Sequence, residues 1–172
     1  MAAKLRSNPN REKGLYFGSR GQNRQGRNKM ITDVMPDAIS VLVVEDDEID
    51  VEVIRRRFKK EKIGNPVYHA SCGVDALEIL RGEDEKQRIS LPCIMLVDIN
   101  LPKMNGIEFL EEVRKDQRLK KNVAFILTTS ARDADIEAAY DLNVAGYFLK
   151  DDIDKVTGML GLYREINKYT NR

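Results

Sequence analysis

Residues 93–98 read Cys-Ile-Met-Leu-Val-Asp: five apolar residues in succession, closed by an acid. Two other stretches have the same form. Val41-Leu42-Val43-Val44 runs into Glu45-Asp46-Asp47, and Val123-Ala124-Phe125-Ile126-Leu127 runs into Thr128-Thr129-Ser130. A strand solvated on one face alternates apolar with polar residues. A run that is apolar at every position is a strand buried on both faces, which is what helices packed on a parallel sheet produce.

The segments around these runs support that reading. Val67–Ala70 and Ala145–Leu149 supply two further short strands. Between the strands the apolar residues change to helical spacing. They fall at Ile49, Val53, Ile54 and Phe58, then, after Gly73, at Ala76, Leu77, Ile79 and Leu80. The third set is Ile107, Leu110 and Val113, and the fourth is Ile136, Ala139 and Tyr140. Ile153, Val156, Leu160, Tyr163 and Ile166 line one face of a last helix. Five strands alternating with five helices predict an α/β fold, flavodoxin-like and doubly wound, of (βα)5 form. Right-handed crossovers then favour a parallel five-stranded sheet in the order 2-1-3-4-5.

Residues 39–172 are expected to form this single domain. Residues 1–38 are expected to be a basic, disordered N-terminal extension, because their Arg, Asn, Gly and Lys offer too little apolar surface to offset ordering. Charge is uneven along the chain. Residues 1–40 hold eight Lys/Arg against three acids, leaving +5, whereas the remainder holds 21 against 25, leaving −4. The body is therefore unlike a basic nucleic-acid module, and no DNA-binding domain is expected. Cys72 and Cys93 are too few, and wrongly spaced, for a disulfide framework or a CxxC metal site. No apolar run reaches about 18 residues, so no membrane span is expected. The N-terminus lacks the apolar core of a secretory signal, and a cytoplasmic location is the expectation.

In open α/β sheets, functional groups gather beyond the carboxyl ends of the strands. The first strand ends in Glu45-Asp46-Asp47, the third in Asp98, the fourth in Thr128 and the fifth in Lys150. Carboxylates crowded on one rim repel unless a cation offsets them. Oxygen ligands of this kind suit Mg²⁺, which takes one or two carboxylates together with phosphate. A lysine and a hydroxyl opposite would hold phosphoryl oxygens, so the constellation outlines a phosphoryl-transfer site.

The stretches VLVVEDDEID, MLVDINLPKMNG, FILTTS and GYFLK resemble the response regulator receiver family. The resemblance covers roughly residues 39–170, and within the family it is greatest to the small stand-alone cyanobacterial phytochrome response regulators. It implies that Asp98 is the phospho-acceptor and that Glu45 and Asp46 are the acidic pair holding Mg²⁺. It implies that the backbone carbonyl of Asn100 completes the metal site. Thr128 corresponds to the switch hydroxyl, Lys150 to the phosphate-binding lysine and Tyr147 to the aromatic switch. The implied activity is that of a single-domain response regulator in a two-component phosphorelay, a switch rather than a turnover enzyme. Its implied partners are a histidine kinase, of phytochrome-like type, and a downstream protein. A homodimer through the fourth helix, fifth strand and fifth helix is a further implication.

Two residues depart from the family pattern. Glu45 stands where the family usually has Asp, and Asp151 stands where it has a proline after a cis bond. A non-proline cis bond costs about 2.5–4 kcal/mol. The Lys150–Asp151 link is therefore either a strained cis bond or a trans bond that aims Lys150 differently. These departures support an alternative, a phosphorylation-independent pseudo-receiver that acts as an adaptor. A dehalogenase-type phosphatase would need an acid where Asn100 stands, and a flavodoxin would not place acids after its first strand.

Overall fold

A computed structural model describes residues 39–84, 87 and 89–167. The arm expected over residues 1–38 lies outside the described residues, as do the side chains of Tyr163 and Ile166. The chain alternates β1 (Val41–Val44), α1 (Glu48–Lys60), β2 (Val67–Ala70), α2 (Gly73–Arg81), β3 (Ile94–Val97) and α3 (Gly106–Lys115). It continues through β4 (Val123–Thr128), α4 (Asp133–Asp141), β5 (Gly146–Leu149), a short 3₁₀ turn (Lys150–Asp152) and α5 (Ile153–Asn167). All strand pairs are parallel, in the order β2-β1-β3-β4-β5. This is the flavodoxin-like arrangement.

The unbroken apolar runs are explained by a core on each side of the sheet. Leu42, Val44, Met95, Val97, Ala124 and Ile126 pack with residues of α2, α3 and α4. Their neighbours Val41, Val43, Ile94, Leu96, Phe125 and Leu127 point the other way and pack with α1 and α5. Successive strand residues face opposite sides, so both parities must be apolar. Burial of each large apolar side chain contributes about 1.5–3 kcal/mol, and Phe109, Leu110 and Val113 of α3 are fully covered.

The helix ends follow local chemistry. The Asp47 side chain caps α1 by accepting from the Ile49 N–H at 2.8 Å. Asn105 and Glu108 form a reciprocal capping box on α3. Gly82 ends α2 at φ 77, a left-handed conformation in which glycine carries no steric cost. At α4 no side chain caps the helix. Arg132 is the N-cap residue. The Ser130 hydroxyl donates instead to Asp135, which is also gripped through both oxygens by Arg132. No described helix is long and apolar enough to cross a membrane.

Candidate functional site

Strand register places the site. Val44 pairs with Val97, and Val97 with Ile126, so β1, β3 and β4 end side by side. Glu45 and Asp98 are the first residues beyond β1 and β3, and Thr128 closes β4. All three are buried, at 2%, 4% and 0% exposure. Asp46 is exposed, yet carboxylate oxygens of Glu45, Asp46 and Asp98 lie within 4.8 Å of one another.

Lys150 enters from the edge of the sheet. The only cis peptide among the described residues is Leu91–Pro92, so the Lys150–Asp151 bond is trans and runs into the 3₁₀ turn. From there the ammonium reaches Glu45 Oε2 at 2.7 Å and Asp98 Oδ2 at 2.9 Å. The trans bond therefore does not remove Lys150 from the acids. The ammonium has a third partner, Asp50 Oδ2 at 2.7 Å. Burial works against the charge on Lys150, but its bonds to Asp50, Glu45 and Asp98 outweigh it and hold the ammonium well above its ordinary pKa. At Glu45 burial wins: it raises the carboxyl above the usual range, although Lys150 and the Asp47 N–H pull it back.

Backbone amides fix the acids from below. The Asp47 N–H donates to Glu45 Oε1 at 3.1 Å, and the Asn100 N–H donates to Asp98 Oδ1 at 3.2 Å. The Asn100 side chain is exposed, and its carbonyl oxygen accepts no hydrogen bond from a described residue. His69, half-buried on β2, lies 2.8 Å through Nε2 from the carbonyl of Glu45. A carbonyl can only accept, so this contact puts the ring hydrogen on Nε2. Thr128 Oγ1 accepts the Ser130 N–H at 3.3 Å. The half-buried Tyr147 donates its hydroxyl to the Ser130 carbonyl at 2.9 Å, which ties β5 to the loop after β4. Burial raises the Tyr147 pKa above its usual value.

Six of the seven residues singled out from the sequence thus meet at one rim, and Tyr147 contacts the loop beside it. Asp50 is the participant that pattern reading passed over. Its signal was present: Asp47 as N-cap puts Asp50 in the first turn of α1, and helical side chains lean toward the helix N-terminus. That end of α1 is the acidic rim.

The donor set is all oxygen, and of the four carboxylates at the rim three pair with the one ammonium while Asp46 does not. The surplus of negative charge and the hardness of the donors fit a divalent cation such as Mg²⁺. Glu45, Asp46 and Asp98, with the Asn100 carbonyl, are the groups that could hold one.

Comparison with known proteins identifies the family. Residues 41–160 match the response regulator receiver domain. Response regulator Rcp1 of Synechocystis sp. is 31% identical over 130 residues, covering 73% of this chain and 88% of Rcp1. The Mn²⁺-bound crystal structure of Rcp1 superposes with a TM-score of 0.65 at 29% identity, covering 73% of this chain and 94% of that one. The phosphorylated cyanobacterial phytochrome response regulator RcpA gives the same TM-score and identity, covering 78% and 97%. By fold and sequence, the chain belongs to the response regulator receiver family.

Proposed function

We propose that this chain is a phosphorylation-controlled switch in a two-component phosphorelay, with Asp98 as its phospho-acceptor. One observation carries the reading: the Lys150 ammonium bridges the buried carboxylates of Glu45 and Asp98 at the point where the acidic oxygens converge. In the reaction, a carboxylate oxygen of Asp98 attacks the phosphorus of a phosphohistidine on a histidine kinase. The P–N bond breaks, its electrons return to the imidazole, and an acyl phosphate forms on Asp98. Mg²⁺, held by Glu45, Asp46, Asp98 and the Asn100 carbonyl, would offset charge on the transferring group. The Asn100 N–H orients Asp98, while Lys150 and Thr128 would engage the new oxygens.

Phosphorylation adds about −1.5 to −2 charge and strong acceptors. Thr128 moving toward them gives up the Ser130 N–H, and Ser130 also holds Tyr147. That is a route from Asp98 to the face made by α4, β5 and α5. Tyr140, Leu149 and Leu162 are exposed apolar residues of these three elements, and they suit a downstream protein or a second copy. The kinase is read as phytochrome-like from the relatives, the location as cytoplasmic, and residues 39–172 as the receiver unit behind a basic arm at 1–38.

Incubation with Mg²⁺ and acetyl phosphate is expected to add one phosphoryl group to the intact chain and none to Asp98→Asn. Absence of the mass gain in the wild type would refute the reading. Glu45 and Asp151, the departures from the family pattern, favour a second reading as a phosphorylation-independent adaptor. That reading requires partner binding that is unchanged by Mg²⁺ and acetyl phosphate.

A further inference from the structure

The Lys150 ammonium lies against three carboxylates: it donates a hydrogen bond to Asp50 and pairs with Glu45 at 2.7 Å and Asp98 at 2.9 Å. Glu45 and Asp98 belong to the oxygen cluster at the strand ends. Asp50 does not. It reaches the ammonium from α1, 100 residues away in sequence, and makes no other described hydrogen bond or ion pair. The pair borders a notch of about 20 Å³ walled by Val53, Ile54, Leu127 and Ile153. The side chains are 15% exposed at Lys150 and 35% at Asp50. Apolar walls and partial burial weaken solvent screening, so this contact is stronger than an ion pair on open surface.

We propose that Asp50 competes with the phosphoryl group on Asp98 for the Lys150 ammonium, and so sets how tightly that group is held. The inference rests on the phospho-acceptor reading. Acyl phosphate formation moves negative charge from the Asp98 carboxylate to the phosphoryl oxygens, and the ammonium that paired with Asp98 is drawn to follow it. Glu45 has a second demand on it as part of the oxygen cluster. Asp50 has none, and it keeps its claim on the ammonium after transfer. That claim weakens retention of the phosphoryl group, and it disappears when position 50 is neutral.

The test is calorimetric binding of beryllofluoride, a phosphoryl mimic, to the full chain at saturating Mg²⁺. Asp50→Asn is expected to bind it roughly three- to tenfold more tightly than the wild type, the equivalent of losing one partly screened ion pair. Asp50→Ser serves as a second neutral variant should the amide perturb folding. Combined with Lys150→Met, the position-50 change is expected to alter affinity by less than about twofold, since nothing is left to compete for. Unchanged or weaker binding in Asp50→Asn, with the wild type binding normally, overturns the competition and leaves the phospho-acceptor reading standing. An equal gain with and without Lys150 also overturns it, because a bare charge effect would then suffice. A wild type that neither binds beryllofluoride nor gains mass from acetyl phosphate overturns both.

Discussion

The carbonyl oxygen of Asp98 lies 2.1 Å from where a β-carbon on Gly106 would stand. The start of α3 is thus pressed against the backbone of the central acid, and the Gly106 N–H bonds to the Ile99 carbonyl at 3.0 Å. Backbone cannot yield as a flexible side chain can. Gly106→Ala is expected to lose about 2 kcal/mol of stability through overpacking, roughly 6 °C in Tm. It should also slow acetyl phosphate labelling of Asp98. A variant that unfolds with the wild type would show that α3 can move away freely.

Arg114 holds together the end of the sheet opposite the acids. Its guanidinium donates to the carbonyls of Leu142, Lys120, Asn122 and Asn143 at 2.7–3.2 Å. Burial lowers its pKa below the usual arginine value. Hydrogen bonds from a charged donor are individually worth about 1.5–3 kcal/mol. Water replaces part of that at these loops, so Arg114→Met is expected to cost about 2–3 kcal/mol by urea unfolding. Arg114→Lys should recover less than half, since an ammonium cannot present the planar fork.

Asn122 makes a buried link between strands. Its Oδ1 accepts the Cys93 N–H at 2.9 Å, while its Nδ2 has no partner among the described residues. Asn122→Ala strands the Cys93 N–H away from water, with an expected loss of about 1–3 kcal/mol. A Cys93 amide that exchanges with solvent no faster in the variant would argue that the bond contributes little.

Burial pushes the Cys93 thiol up from its ordinary 9.0 to about 12. The folded chain therefore holds this proton more tightly than the unfolded chain. Its effect on stability is absent below about pH 9, and stability falls as pH rises from there towards 12. Cys72 is buried as well. Native protein at pH 8 is expected to show almost no reaction with a thiol reagent, and unfolded protein to show two reactive thiols. Rapid native labelling would contradict the packing around Cys93.

Much of the molecule was legible in its sequence because the deciding interactions are local or periodic. An apolar run with no alternation states that both faces are covered, whatever covers them. Asp98 follows such a run directly, and so does Glu45, so their place on the rim follows from strand ends alone. Capping at α4 was less legible, because the Ser130 hydroxyl, a good cap by type, bonds to Asp135 and the helix begins after Arg132 without a side-chain cap. Asp50 was the hardest to see. In sequence it is one acid of several in a charged first turn, where a bland dipole role is the default. Sequence alone determined the strand-helix alternation, the two-sided core and the set of acids at the strand ends. Only tertiary structure decided that a trans Lys150–Asp151 bond still delivers the ammonium to Asp98 and that Asp50 shares it, because both depend on how α1 and the end of β5 approach each other across the sheet.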